Sequence, residues 1–216
     1  MKHPIRVLVV DDSAFMRHVL TKHLQDHPDI TVVGKACDGL EALEQIQTLK
    51  PDVVTLDVEM PRMDDLTALR RIMTECPTPV VMLSALTHRG ARITIQALMR
   101  GAVDFVPKPA AAIGIQSVVR ELIAKIKVAA ETPTSQHSYP STTPPRPAAP
   151  RLEPRTFRQG DPLIVVGAST GGPRALQRVL SDLPADLPAA MVVVQHMPPL
   201  SPTPWPAGWT KTRLSR

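Results

Sequence analysis

The chain has 216 residues, 43% of them hydrophobic, with 25 Lys and Arg against 20 Asp and Glu and two cysteines. That length suits one or two domains, no apolar run approaches the roughly 18 residues of a membrane span, and Cys37 and Cys76 are too few for a disulfide framework. The charge is uneven: residues 1–127 hold 16 basic against 15 acidic side chains and residues 128–216 hold 9 against 5, so the basic excess belongs to the second half.

The first segment, "IRVLVV", is followed by two acids and is too short for a signal-peptide core. A cytoplasmic location is therefore expected. From residue 5 to about 127, strand and helix signals alternate. "IRVLVV", "ITVVGKA", "DVVTLD", "PVVMLS" and "AVDFV" are short apolar, β-branched runs. Between them lie helical patterns. Phe15, Val19 and Leu20 begin the first apolar stripe, and Val119, Leu122, Ile123 and Ile126 keep i, i+3, i+4, i+7 spacing in the last. Five βα units predict an α/β domain over residues 1–127, with a five-stranded parallel, doubly wound sheet covered on both faces.

Ligands of such sheets gather at the carboxyl ends of the strands. Asp11 and Asp12 follow the first strand, Asp57 ends the third, Ser84 ends the fourth, and Lys108 follows the fifth. In the flavodoxin-like strand order these side chains converge. A single Asp at a strand end is usually a turn former and a single Lys is usually solvated; five such coincidences at four strand ends carry the chemistry. Three carboxylates offer hard oxygen ligands but too few to complete a coordination sphere, which suits Mg²⁺ that keeps waters and shares a phosphate. Mg²⁺ and Lys108 would neutralise a transferring phosphoryl group. Asp57 is the candidate nucleophile, and Ser84 can donate a hydrogen bond to the new phosphoryl oxygen.

Residues 128–160 change character. Seven prolines fall between 131 and 154, and large apolar residues are scarce. Arg146, Arg151, Arg155 and Arg158 lie among them, as on a solvated tether rather than a nucleic-acid surface. The segment cannot bury enough surface to offset its ordering entropy, so a disordered linker is expected. A second, smaller α/β unit (Rossmann-like, residues 161–216) then begins: a buried strand at 163–167, a helix at about 172–181, and a strand at 190–195. Its turn reads "VVGASTGGPRAL". Pro173 suits a first helical turn, which leaves Ser169 at a helix N-terminus. Three readings stand: an anion cradle, which lacks the Gly-Lys-Ser/Thr ending of a P-loop; a nucleophile elbow of G-x-S-x-G form; and a plain turn.

"VLVVDDSAFMR", "DVVTLDVEMPRMD", "VVMLSALT" and "AVDFVPKP" resemble a response-regulator receiver domain over residues 3–127. The resemblance implies that Asp57 accepts phosphate from a histidine kinase. It implies that Asp11 and Asp12 hold Mg²⁺, and that Ser84, Phe105 and Lys108 sense the phosphoryl group. It also implies a cis Lys108–Pro109 bond. Together with the linker and "VGASTGG…VVVQHMPP", these motifs resemble the chemotaxis protein-glutamate methylesterase and glutamine deamidase (CheB) family over residues 3–199. That resemblance makes Ser169 the nucleophile toward a methyl-glutamate of a chemoreceptor and His196 its base. N–H groups near Thr170 and Gly171 would hold the oxyanion.

Two departures stand out. The family's triad needs an Asp after the histidine, and this chain has no Asp or Glu after His196. Asp182 and Asp186 lie past the far end of the intervening helix. Losing a triad acid costs about 10⁴-fold in rate, or roughly 5.5 kcal/mol. The tail "LSPTPWPAGWTKTRLSR" has three prolines, both tryptophans and no regular period, so residues 200–216 read as an aberrant tail from a shifted frame, and the chain as a C-terminally truncated family member. The alternative function is a receiver alone, a phosphate sink or kinase competitor with a dead esterase segment. A DNA-binding regulator is disfavoured, because no helix-turn-helix pattern follows the receiver. The second departure is Asp65, where receivers usually carry Gly. A side chain there is strained if φ is positive, and it adds negative charge near the phosphorylated loop. Asp65→Gly is expected to speed phosphorylation of Asp57, and stopped-flow uptake from a small phosphodonor checks it; equal rates count against it.

Overall fold

In the computed structural model, residues 3–58, 60, 65–84, 87–108, 114–132, 160, 162–184 and 187–196 are described. β1 (Ile5–Val10), β2 (Ile30–Ala36), β3 (Val53–Asp57), β4 (Val80–Ser84) and β5 (Asp104–Pro107) form one parallel sheet in the order β2-β1-β3-β4-β5. The expected doubly wound order is present. The central strands are buried on both faces: every residue of β3 and β4 is buried, as is β1 from Val7 onward. Val and Leu supply most of that burial, with Thr55 and Met82 among them.

Five helices alternate with the strands: α1 (Ala14–Gln25), α2 (Gly39–Leu49), α3 (Asp65–Glu75), α4 (His88–Met99) and α5 (Ile115–Ala130). α1 and α5 cover one face through Leu20, Leu24, Leu122 and Ile126, which meet Val7, Val9, Val81 and Leu83. α2, α3 and α4 cover the other through Leu43, Ile46, Leu69, Ile72 and Leu98, against Leu8, Val54, Leu56 and Met82. Local chemistry fixes the helix starts. Ser13 caps α1 by accepting from the Met16 N–H. Asp38 caps α2 by accepting from Leu40 and Glu41 N–H, while Glu41 reaches back to the Cys37 N–H at 2.7 Å. This reciprocal pair satisfies donors that the first turn would otherwise leave open.

Several expectations need correction. Phe15 is 65% exposed and does not begin the α1 stripe; Leu20 and Leu24 carry it, with Met16 packed alongside. The reason is position: Phe15 sits in the first turn, beside the exposed Asp12 and Ser13, before the helix settles on the sheet. α5 runs to Ala130, so residues 128–130 are helical where linker was expected. Ala129 is fully buried and Ile126 lies on the same apolar stripe, so packing carries the helix past the boundary. Asp65 is the first residue of α3. A helical residue has negative φ, so the strain expected there is absent. Pro109, residues 133–159 and residues 197–216 lie outside the described residues, and with them the cis-bond, linker and tail expectations.

β6 (Leu163–Ala168), α6 (Gly172–Asp182) and β7 (Ala190–Gln195) form a separate parallel βαβ unit. β6 is not the buried strand the sequence suggests: Leu163 is 59% and Val165 65% exposed. The physical reason is layer count. Leu163, Val165 and Gly167 pair in register with Ala190, Val192 and Val194, so these six share one face. α6 touches β6, and one helix covers only the other face. Among the described residues this unit has no second layer. Among the described residues, no helix is long and apolar enough to cross a membrane.

The tightest backbone approach in the sheet is at Gly34, where β2 passes beneath α2. A Cβ there would lie 2.4 Å from Gln45 Oε1, 2.6 Å from Leu49 Cδ1 and 3.0 Å from Leu8 Cδ1. Gly34→Ala is expected to lower unfolding stability by about 1–3 kcal/mol through overpacking, read as a reduced urea midpoint with an unchanged m-value.

Candidate functional site

The sheet brings four strand ends together. Asp11 follows β1, Asp57 closes β3, Ser84 closes β4, and Lys108 follows β5. Backbone hydrogen bonds lock the last steps: Lys108 N–H donates to Ser84 O at 2.7 Å, and Val58 N–H to Leu83 O at 2.8 Å. Lys108 Nζ lies 2.8 Å from Asp11 Oδ2 and 2.7 Å from Asp57 Oδ2. Both carboxylates are essentially inaccessible, at 0% and 1% exposure, whereas Asp12 is exposed. Ser84 is buried at the same edge.

One carboxylate oxygen from each of Asp11, Asp12 and Asp57 falls within 4.8 Å of the other two. Three carboxylates and one ammonium leave a net negative charge at the mouth. Hard oxygen donors, three in number and open on the Asp12 side, suit a divalent cation that retains waters and accepts phosphate oxygens. Nearby groups hold the loop in shape. Asp11 Oδ1 accepts from Ser13 N–H at 2.9 Å, and Arg17 Nη1 donates to the Asp11 and Asp12 carbonyls at 2.7 and 3.0 Å. Burial pushes the Asp11 carboxyl above its ordinary pKa, with Asp57's charge adding to it; Lys108 and the Ser13 N–H pull it back only in part. Burial alone would lower the Lys108 ammonium's pKa. The charge of Asp57 and the bonds to Asp11 and Asp57 outweigh it and hold the ammonium above its ordinary value.

A second constellation sits on β6 and β7. Ser169 follows β6 and His196 follows β7, and their paired neighbours Ala168 and Gln195 are in register. Ser169 Oγ lies 3.4 Å from His196 Nδ1, and both side chains are exposed. In a Ser-His-Asp triad Nε2 faces the serine and Nδ1 faces the acid; here Nδ1 faces the serine. Gly171 caps α6 at φ 70°, a left-handed conformation that suits glycine, and Thr170 is an exposed turn residue before it. Asp182 pairs with Arg178 at 3.6 Å at the far end of α6.

The two constellations meet at Phe105, which is 4% exposed on β5. Its ring centroid is 6.4 Å from that of His196, and α4 touches α6. Behind the ring stands Lys125, whose Nζ is 4.7 Å from the ring centroid and donates to the Phe105 carbonyl. Lys125 also pairs with Glu121 at 2.8 Å and Asp104 at 3.4 Å.

The response regulator receiver domain model matches residues 7–120, more than half of the chain. The chain belongs to the response-regulator receiver family. The receiver is similar to the crystal structure of the response regulator domain of Thermotoga maritima CheB, at 51% identity and TM-score 0.57, covering 61% of this chain and 99% of that one. It is also similar to a structure described as the P1 domain of CheA3 in complex with CheY6 from R. sphaeroides, at 29% identity and TM-score 0.51, covering 59% of this chain and 99% of that one. Residues 164–207 match the CheB methylesterase model. Among curated relatives, a protein-glutamate methylesterase/protein-glutamine glutaminase of Symbiobacterium thermophilum is 51% identical over 210 residues, or 92% of this chain and 58% of that protein. The like-named protein of Thermotoga maritima is 48% identical over 214 residues, 98% of this chain and 58% of that protein. The chain thus spans a little under three-fifths of the length of these relatives.

Three residues here escape a reading of the sequence: Arg17, Lys125 and Gln195. Arg17 and Lys125 sit on amphipathic helices where a basic residue reads as solvated. Gln195 ends a strand with no motif of its own, and only its partners give it meaning. Lys108→Ala would leave two inaccessible carboxylates beside each other without their cation. Breaking such a buried pair is expected to cost about 3–5 kcal/mol, measured as a urea midpoint in the presence of a chelator. Adding Asp57→Asn to Lys108→Ala is expected to recover part of that loss.

Proposed function

We propose that the chain is a chemotaxis response regulator whose receiver takes a phosphoryl group on Asp57 and so controls a carboxyl-ester hydrolase centred on Ser169. The observation that carries the reading is Lys108 bridging Asp11 and Asp57 beside a third carboxylate. Asp57 Oδ attacks the phosphorus of a histidine-kinase phosphohistidine; the P–N bond breaks and the imidazole keeps its electron pair. The product is an acyl phosphate. Asp11, Asp12 and Asp57 would hold Mg²⁺, which supplies charge neutralisation for the phosphoryl oxygens. Lys108 changes partner from Asp57 to the phosphoryl group, and the Ser84 hydroxyl donates to it.

The output reaction follows from the second constellation. Ser169 Oγ attacks the γ-carbonyl of a receptor methyl-glutamate while His196 takes its proton. The proton then passes to the leaving methoxide, methanol departs, and water hydrolyses the acyl-enzyme by the same route. The N–H groups at Thr170 and Gly171 receive the oxyanion. The closeness of Phe105 to His196 supports control by the receiver through the base, since Ser169 itself is exposed. The partners on this reading are a cytoplasmic histidine kinase and methylated chemoreceptors.

Supplying acetyl phosphate and Mg²⁺ is expected to label Asp57 and to start methanol release from methylated receptor. Asp57→Asn or a chelator is expected to abolish labelling, and Ser169→Ala to abolish release while leaving labelling intact. Persistent label on the Asp57→Asn chain overturns the receiver assignment. Labelling with no Ser169-dependent release leaves the receiver-only function.

A further inference from the structure

We propose that Gln195 is a positioning residue that fixes Ser169 and His196 relative to each other. The inference rests on the reading of these two as nucleophile and base. Gln195 Nε2 donates to the Ser169 carbonyl at 3.1 Å and to the His196 carbonyl at 2.8 Å. A primary amide nitrogen has two hydrogens, and both are used on the peptide groups of the two reacting residues. Only the NH₂ end can face two carbonyl oxygens, so the amide has one orientation here.

Its seat is built. The carboxamide lies over Gly172, where a Cβ would fall 2.0 Å from Gln195 Oε1 and 2.8 Å from both Gln195 Cδ and Ala168 Cβ. Oε1 is buried and has no hydrogen-bond partner among the described residues. Burying that acceptor is unfavourable, so the two bonds on the other end are what hold the side chain in place. Other bonds tie the same turn. Gly172 N–H donates to Ser169 O at 2.8 Å, and His196 N–H donates to Ala168 O at 2.9 Å. The Ser169 carbonyl is thus gripped from α6 and from β7 at once. Register pairing sets the strands side by side and reaches His196 through its N–H bond to Ala168 O, while the carbonyls of both reacting residues lie beyond the ladder. Gln195 extends that constraint by one residue on each strand.

The second glycine of "STGG" acquires a role from this arrangement. Gly171 supplies the left-handed cap, and Gly172 supplies the space for the amide. A glutamine before the histidine and a glycine three residues after the serine are one device, split between two motifs.

The test uses the full 216-residue chain with acetyl phosphate and Mg²⁺, and a small fluorophosphonate as probe. Ser169 Oγ displaces fluoride from phosphorus, its proton passes to His196, and mass spectrometry follows the adduct. The limiting labelling rate and the half-saturating probe concentration are measured separately from pH 5.5 to 8.5. Gln195→Leu is expected to slow the limiting rate by about tenfold or more, since small misplacements of reacting groups are costly, with half-saturation unchanged. Gln195→Glu has no donor when ionised and regains one when protonated. Its rate, measured against the unmodified chain at each pH, is therefore expected to rise as pH falls. A loss of fold alone does not produce that rise, and the Glu ratio decides the matter if the Leu variant loses its β-sheet dichroism. An unchanged limiting rate in a folded Leu variant, or a Glu ratio flat with pH, overturns the role of Gln195 and leaves Ser169 as nucleophile. Labelling of the unmodified chain no faster than of Ser169→Ala overturns the nucleophile assignment, and this inference with it.

Discussion

The Lys108 ammonium between Asp11 and Asp57 is the interaction on which the receiver's edge depends. Two carboxylates with almost no access to water stand side by side there, and the ammonium between them offsets their mutual repulsion. The sheet order makes this possible: β1 and β3 are neighbours, and β5 is placed so that its following residue reaches back across β4. The same arrangement sets up the chemistry. A lysine already shared by two carboxylates can exchange one of them for a phosphoryl oxygen without leaving its seat. The site is therefore organised before any phosphate arrives, which is the form of electrostatic preorganisation that lowers barriers most.

Much of this was legible in the residues. The five strands emerge within a residue or two of their apolar runs, because a strand buried on both faces must be apolar throughout. The acids at the strand ends were legible for the same reason, since they interrupt that pattern at the point where ligands gather. Burial in the second unit was not legible. "LIVV" reads as a core strand, yet a core needs a second layer, and sequence pattern does not count layers. Phe15 misleads in the opposite way: an aromatic at helical spacing lies outside the stripe because the first turn of α1 stands off the sheet. Gln195 has no periodic or motif signal, and its meaning comes from two carbonyls that folding brings beside it.

Phe105 joins the two halves of the molecule. Its backbone belongs to the strand that leads into Lys108, its N–H is held by Asp104 at 2.7 Å, and its carbonyl by Lys125. The residue after β5 therefore bridges the buried carboxylates, while a ring three residues earlier stands near the imidazole of His196. Phe105 and Lys108 belong to one segment that is tied to β4 on one side, with Val103 N–H donating to Val80 O at 2.8 Å and Lys108 N–H to Ser84 O at 2.7 Å. The cation behind the ring favours one placement of its face, which makes the aromatic a discrete element rather than a loosely held one.

The bare face of the βαβ unit has a consequence for how the molecule comes apart. Leu163, Val165, Val192 and Val194 lie on the face of a two-stranded sheet that α6 does not cover, and among the described residues its outer edges have no further strand beside them. Opening this unit exposes little additional apolar surface, so it breathes at a small fraction of the free energy that melts the receiver. Amide protons of β6 and β7 would exchange long before those of β3 and β4. Among the described residues, these outer edges are where a further strand would find backbone partners.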